Sequence, residues 1–316
     1  MIDRSIILLN LEKAVQEFIE IKLRKDDKTY NYNRVVGSLH CIITSIIECE
    51  QADISREKIL ELLKPAKSIH AQSPFIKRCT EWPRGYLGDF ETIRYIYEAK
   101  NKAPENTLAY FCEEYALLCP STQQHRNKLN KQAQLVMNSV KQYEETKILS
   151  LASGSSIELH SMVNLLSGAD IHLVLNDTDG EALEEAKKSL QQIPKCTFIE
   201  GNVAEFLAFD SDELGEFDLI LAGGLFDYLT DKHASFILKH LRRYLLKDGG
   251  RFFFTNIAPD NPYRPWMGYL ADWSLIERDE EMLKKLCLKN GFKEEEIAIT
   301  REETRLTCLV ELIKLS

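Results

Sequence analysis

The stretch Ile148-Leu149-Ser150-Leu151-Ala152-Ser153-Gly154-Ser155-Ser156 decides the fold class of this chain. Its first residues form a short apolar run typical of a buried strand, and small residues then lead into a helix predicted from Ile157. A small-residue turn between a strand and a helix lets backbone N–H groups approach a ligand closely. We therefore predict a binding loop with Ala152, Ser153 and Gly154 as contact residues, although a tight turn without a ligand has the same composition.

Short apolar strands alternate with amphipathic helices from Lys147 onward. This order is typical of a parallel sheet covered by helices on both faces. The last two strands are predicted to form an antiparallel hairpin. The predicted fold class is therefore α/β, with a doubly wound, mostly parallel, seven-stranded sheet and a terminal antiparallel hairpin. The predicted strands span residues 148–152, 171–175, 196–200, 218–222, 251–256, 297–300 and 306–313.

The first half of the chain has a different periodicity. Apolar residues recur at helical spacing from Ile6 to about Tyr143, and only the segment from Trp82 to Asp89, with one Pro and two Gly, interrupts them. A long helix is predicted from Pro120 to Val140. The sequence thus predicts two domains, an all-α N-terminal domain at 1–143 that acts as a lid and substrate domain, and the α/β domain at 144–316.

The second predicted strand ends in Leu175-Asn176-Asp177-Thr178-Asp179. A carboxylate at the tip of this strand, about 20 residues after the loop, can accept hydrogen bonds from both hydroxyls of a ribose. We assign this role to Asp177, with Thr178 beside it. Asp179 precedes the next helix and is predicted to cap it through its side-chain oxygen.

The third and fourth strands also end in residues suited to ligand contact. Asn202 and Val203 offer an amide side chain and a backbone N–H to an adenine edge, although Asn202 is equally typical of a turn. Gly223 and Gly224 let backbone touch a ligand after the fourth strand. Four such strand ends in sequence order predict one binding site at the carboxyl edge of the sheet.

Composition limits the class of partner. The 40 Lys and Arg against 49 Asp and Glu give a net charge of −9, and the pI is about 5.4. This charge disfavours nucleic acid and anionic membranes, so a small-molecule acceptor is the predicted partner. No apolar run is long enough for a membrane span or signal peptide, which predicts a cytoplasmic protein. The eight cysteines form no C-x-x-C pair, so no metal is expected, and the sequence leaves a homodimer open.

Taken together, these strand ends resemble those of the class I S-adenosylmethionine-dependent methyltransferases, which have a Rossmann-like fold. A closer resemblance, to bacterial enzymes of 3-hydroxypalmitic acid methyl ester biosynthesis, an extracellular factor, rests on four motifs. These motifs are Pro83-Arg84-Gly85-Tyr86-Leu87-Gly88-Asp89, Leu149-Ser150-Leu151-Ala152-Ser153-Gly154, Gly224-Leu225-Phe226-Asp227-Tyr228-Leu229 and Tyr269-Leu270-Ala271-Asp272-Trp273-Ser274-Leu275-Ile276. The chain departs from the family pattern at Ser150, where an acidic residue is usual, and at Ala152 and Ser156, where glycines are usual.

The resemblance implies S-adenosylmethionine as cofactor and carboxyl O-methylation of a hydroxy fatty acid in small-molecule biosynthesis. It leaves two alternatives, a cyclase or lyase that forms azetidine-2-carboxylate and methylthioadenosine, and a non-catalytic cofactor-binding regulator. An alcohol or amine acceptor would need a base, and a carboxylate acceptor would not. The predicted catalytic candidates are Asp227, Tyr228 and Tyr86. The predicted substrate-binding residues are Arg84, Asp89, Arg126, Tyr263 and Arg264.

Overall fold

The computed structural model describes residues 4–210 and 214–315. These residues form two compact units. The helical unit contains the residues up to Gln123 together with Asn261–Ser274, and the sheet unit contains Gln124–Asp260 and the residues from Leu275 onward. The units therefore differ from the predicted domains in two segments. Residues 124–143 belong to the sheet unit, and residues 261–274 belong to the helical unit.

Within its described residues, the helical unit contains six complete α-helices and the first turn of a seventh. Its core includes the apolar positions that recur along the first three helices, among them Leu11, Phe18, Leu39 and Leu63, all without exposed surface. The helices are α1 (Arg4–Ile19), α2 (Lys28–Gln51), α3 (Arg56–His70), α4 (Pro74–Glu81), α5 (Phe90–Glu98), α6 (Leu108–Leu118) and α7 (Pro120–Gln142). The predicted interruption lies between α4 and α5, where Gly85 and Gly88 have positive φ.

Polar contacts attach residues 261–274 to the helical unit. Lys67 Nζ lies 2.7 Å from the Asp272 carboxylate, and Trp266 Nε1 donates to His70 Nε2 at 2.8 Å. Burial lowers the pKa of His70 to about 3, so this imidazole is neutral and accepts the indole hydrogen bond. Because each pair joins residues about 200 positions apart, no local sequence pattern marks this segment as part of the helical unit.

The sheet unit confirms the predicted fold class. Its seven strands lie in the order β3-β2-β1-β4-β5-β7-β6. The first five strands are parallel, and β7 pairs antiparallel with both β5 and β6. The strands are β1 (Glu145–Leu151), β2 (Asp170–Asp177), β3 (Lys195–Glu200), β4 (Phe217–Ala222), β5 (Leu246–Ile257), β6 (Ile297–Arg301) and β7 (Thr307–Ile313). This arrangement is a doubly wound, Rossmann-like α/β fold.

Helices cover both faces of the sheet. They are α8 (Ile157–His160), α9 (Val163–Leu166), α10 (Gly180–Ser189), α11 (Val203–Glu205), α12 (Asp231–His240) and α13 (Glu280–Lys289). Strand β5 begins at Leu246, five residues before the predicted start. The reason is an extended ladder, because Gly249 N–H donates to the Lys314 carbonyl and Lys314 N–H donates to the Gly250 carbonyl.

Two apolar clusters hold the sheet unit together. One contains Phe226, Phe252 and Phe254 with α12 and α13, and the other contains Leu173 and Leu221 with the apolar positions of α7 and α10. The packing of α7 explains why residues from Gln124 onward belong to this unit. Among the described residues, no helix is both long and apolar enough to cross a membrane.

Candidate functional site

The four predicted strand ends lie on neighbouring strands. We use the term carboxyl-edge cluster for residues 152–156, 177–179, 201–203 and 223–224, which follow β1, β2, β3 and β4. In the order β3-β2-β1-β4 the chain reverses direction across the sheet between β1 and β4. Ligands of open α/β sheets bind at this kind of switch point, outside the carboxyl ends of the strands.

The loop after β1 has left-handed backbone at alternate residues. Ala152, Gly154 and Ser156 have φ angles of 49°, 54° and 50°. Left-handed backbone costs a residue with a Cβ about 1–2 kcal/mol, so Ala152 and Ser156 are strained. The loop is held in place by two backbone hydrogen bonds, from Ser153 N–H to the Asn176 carbonyl and from Ser156 N–H to the Ser153 carbonyl, each 3.0 Å. The chain thus maintains a tight turn that brings its backbone to the sheet edge.

Asp177 joins the first two loops. Its carboxylate accepts the Gly154 N–H at 2.7 Å and the Asp179 N–H at 2.9 Å, and the side chain is 6% exposed. Burial raises the pKa of Asp177, while these two N–H groups act in the opposite direction. The Thr178 N–H also acts on this carboxylate, and of its about four lone-pair sites at least one remains available to a ligand. Thr178 follows it as an exposed residue.

The next two polar residues of the cluster cap helices. Asp179 accepts from Glu181 N–H at the start of α10, as the sequence predicts. Asn202 Oδ1 accepts from Ala204 N–H at 2.8 Å, which is the turn alternative. This hydrogen bond fixes the orientation of the Asn202 side-chain amide, and Val203 is half-buried next to it. A role of Asn202 or Val203 in adenine binding stays a prediction.

The end of β4 is covered by a side chain from α7. A Cβ at Gly223 would collide with the side-chain amide of Gln132, a residue that is 6% exposed. Gly223 therefore permits a close approach between α7 and the backbone after β4. Gly224 is exposed and has nothing within 4 Å of a Cβ position. The close contact at Gly223 is therefore with the Gln132 side chain, and a contact of Gly223 with a ligand stays a prediction.

Asp227, a predicted catalytic residue, is engaged in internal contacts. It is 2% exposed, and its carboxylate lies 3.3 Å from Lys128 Nζ on α7 and accepts the Ile257 N–H at 2.6 Å. Lys128 is itself 3% exposed. A buried ion pair of this kind ties α7, β4 and the end of β5 together. Tyr228, the next catalytic candidate, is 40% exposed.

The remaining residues predicted to bind substrate lie in both units. Arg126 is half-buried on α7 in the sheet unit. Asp89 is in the helical unit, where its carboxylate caps α5 and accepts from Arg78 Nη2 at 2.5 Å. Arg84 lies 4.9 Å from the ring centre of Phe90. The structure thus gives Asp89 and Arg84 contacts within the protein.

Three further candidates also belong to the helical unit. Tyr86 is half-buried in the turn between α4 and α5. Tyr263 lies 6.4 Å from the ring of His40, and Arg264 forms a two-pronged ion pair with Glu50. Their roles in catalysis or substrate binding stay predictions.

Sequence reasoning missed three residues of the sheet unit. Lys128 and Gln132 lie one helical turn apart on α7 and face the end of β4, but polar residues at this spacing are more typical of an exposed helix face. Glu158 is a buried carboxylate in the helix that follows the first loop. Its position two residues after the loop residue Ser156 could have indicated that Glu158 lies near the predicted binding site.

Comparison with known proteins finds a domain match within the sheet unit. Residues 148–250 match a methyltransferase domain model. The matched segment runs from β1 into β5 and contains the whole carboxyl-edge cluster. The match supports the predicted cofactor, S-adenosylmethionine. No curated protein matches the sequence.

Two solved structures align over nearly the full length of the chain. A possible exported protein from Bordetella parapertussis superposes with a TM-score of 0.58 at 15% identity, covering 99% of this chain and 97% of that one. The CurJ carbon methyltransferase superposes with a TM-score of 0.51 at 12% identity, covering 99% and 93%. At these identities the likeness concerns the methyltransferase fold alone.

Proposed function

We propose that this protein is an S-adenosylmethionine-dependent methyltransferase that acts on a small molecule. The observation that carries the proposal is the carboxyl-edge cluster, in which the Asp177 carboxylate and the left-handed loop meet at the switch point of a methyltransferase fold. The match of residues 148–250 to a methyltransferase domain supports the same reading.

The side chains at this edge fit the cofactor. Asp177 would hold the ribose, and the backbone of the loop 152–156 would lie against the ligand, with the amino-acid part toward Ser156. Ser156 Oγ and Asn176 Oδ1 are buried without a hydrogen-bond partner among the described residues. Buried polar atoms are nearly always satisfied, so unpaired ones at a loop favour a bound polar ligand. When bound, S-adenosylmethionine supplies a methyl group activated by its sulfonium centre.

We propose a carboxylate oxygen as the methyl acceptor, as in a hydroxy fatty acid. The acceptor must approach the methyl group with water excluded, and the chain must position it. Asp227, the carboxylate at the end of β4, already accepts from Lys128 and from the Ile257 N–H. A carboxylate acceptor reaches the site deprotonated and needs no base. The internal pairing of Asp227 therefore favours this acceptor over an alcohol or amine.

An assay with methyl-labelled cofactor tests the proposal. The protein is incubated with the labelled cofactor and 3-hydroxy fatty acids, and label in a methyl ester is the expected result. Asp177→Ala is the matched inactive control. Cofactor binding without any labelled ester from these acids would overturn the proposed acceptor class. Release of methylthioadenosine without an acceptor would instead indicate a cyclase or lyase.

A further inference from the structure

Glu158 differs from the other buried carboxylates of this protein. Nine Asp and Glu side chains are buried among the described residues, and eight of them accept hydrogen bonds from other residues. Those eight are Asp89, Glu113, Asp177, Asp179, Asp218, Asp227, Glu296 and Glu302. Glu158 is 6% exposed, and within the described chain only its own backbone N–H reaches its carboxylate.

A buried carboxylate that no other residue pairs with is costly. Charged side chains are almost never fully buried unless they are paired, because desolvation of the ion is not repaid. Burial accordingly raises the pKa of Glu158 to about 7. A glutamate that served only to fill space would be better replaced by an apolar residue of similar volume. The position therefore points to a cationic partner from outside the chain.

Glu158 lies close to the binding loop after β1. Glu158 is two residues after Ser156, the last left-handed residue of the loop, so their Cα atoms are at most about 7 Å apart. The Ser156 hydroxyl is also buried and unpartnered. Asp177 accepts from Gly154 in the same loop, which leaves the other end of the loop for the amino-acid part of the ligand.

We propose that Glu158 is the counter-charge for the α-ammonium group of the cofactor's amino-acid moiety. This inference rests on the proposed function. An ammonium donates three hydrogen bonds and a sulfonium donates none, so the ammonium is the cationic group that a carboxylate beside a hydroxyl recognises. Glu158 is thus a binding residue in the same loop region as the ribose contact.

Calorimetric titration of three ligands tests the proposal. S-adenosylhomocysteine and its decarboxylated form, S-adenosyl-3-thiopropylamine, both carry the ammonium, whereas methylthioadenosine lacks it. Glu158→Gln is expected to weaken binding of the first two by roughly 30-fold or more, since one partner of a buried charge pair is lost. Binding of methylthioadenosine is expected to stay unchanged.

Control variants separate binding from stability. Glu296→Gln changes a buried carboxylate that is paired with Arg242, and it should lower stability without changing any of the three affinities. Glu158→Met should keep or raise the thermal stability of the ligand-free protein while weakening ammonium-bearing ligands, and it replaces Glu158→Gln if that variant does not fold.

The outcomes are distinct. If the wild-type protein binds none of the three nucleosides, the proposed function fails and this inference fails with it. If the wild-type protein binds S-adenosylhomocysteine and the Glu158 variants bind it equally well, or if methylthioadenosine binding falls in parallel, only the role of Glu158 is overturned.

Discussion

The ends of β1 and β4 lie side by side in the sheet, but their polar groups are satisfied differently. After β1, the chain keeps left-handed backbone at Ala152 and Ser156. Among the described residues, the Ser156 hydroxyl has no partner and the Glu158 carboxylate has only its own backbone N–H. After β4, Asp227 is paired with Lys128. The comparison separates a polar group used for packing after β4 from polar groups that the protein leaves without a partner side chain after β1, where the proposed function places the ligand.

The largest expected effect concerns the buried ion pair between Asp227 and Lys128 after β4. Asp227→Ala leaves Lys128 buried without a counter-charge, and removal of one partner of a buried pair costs about 3–5 kcal/mol of unfolding free energy. Urea denaturation followed by circular dichroism measures this loss. The double variant Lys128→Met with Asp227→Ala removes both charges and should recover part of the stability. A loss below about 1 kcal/mol in the single variant would show that the pair is not a structural tie.

The ligand side is tested by Asp177. Asp177→Ala should weaken binding of S-adenosylhomocysteine by about 100-fold or more, because hydrogen bonds to a charged group contribute about 1.5–3 kcal/mol each and a ribose offers two hydroxyls. Calorimetry gives the affinity. Asp179→Asn keeps the cap of α10 and serves as the matched control with unchanged affinity. Equal binding by Asp177→Ala would remove the ribose assignment.

A pH series tests the unpaired carboxylate. The pKa of Glu158 is raised to about 7 by burial, its own backbone N–H opposes the shift, and no charged neighbour is among the causes. An ammonium ligand favours the ionised form, so the bound state has the lower pKa and binding releases a proton below pH 7. Affinity for S-adenosylhomocysteine should then fall up to about tenfold for each pH unit below the pKa of the free protein.

The same series contains its control. Glu158→Gln cannot titrate, so its affinity should stay flat between pH 5.5 and pH 7.5 apart from any contribution of Asp177, whose pKa is also raised. For folding of the ligand-free protein the sign is reversed, because a raised carboxyl pKa contributes stability at low pH that is lost as pH rises through 7. A wild-type affinity that rises on acidification would contradict the assignment.

The smallest expected effect comes from the strained loop. Ala152→Gly and Ser156→Gly each remove a left-handed side chain, which relieves about 1–2 kcal/mol, while glycine costs about 0.4–1 kcal/mol through the unfolded state. A net gain in unfolding free energy of about 0–1.6 kcal/mol is expected for each variant in urea denaturation. Gly154→Ala is the opposite control and should lose stability. A loss in both glycine variants would show that the loop depends on their side chains.

The sequence predicts the sheet well for a physical reason. Strands buried on both faces appear as apolar runs, and loops at their ends must carry small or capping residues, so β1, β2, β4 and Asp179 follow from local pattern. The pattern does not determine partners that are distant in sequence. Lys128 and Asp227 are 99 residues apart, and nothing near Asp227 indicates that it is already paired.

Because local pattern does not determine distant partners, two segments lie in a different unit from the one predicted. Residues 124–142 follow the helical periodicity of the first half, yet their apolar positions, such as Leu135 and Val136, pack on the sheet. Residues 261–274 follow β5, yet Lys67 pairs with Asp272 in the helical unit. Periodicity identifies a helix and its apolar face, but the surface that this face meets is decided by tertiary packing.

A crystal structure of the protein with S-adenosylhomocysteine tests the central claim most directly. The account predicts the nucleoside at the carboxyl-edge cluster, with both ribose hydroxyls within hydrogen-bond distance of Asp177 and the ammonium beside Glu158. Density for the ligand away from the ends of β1, β2 and β3, or a ribose without contact to Asp177, would contradict it.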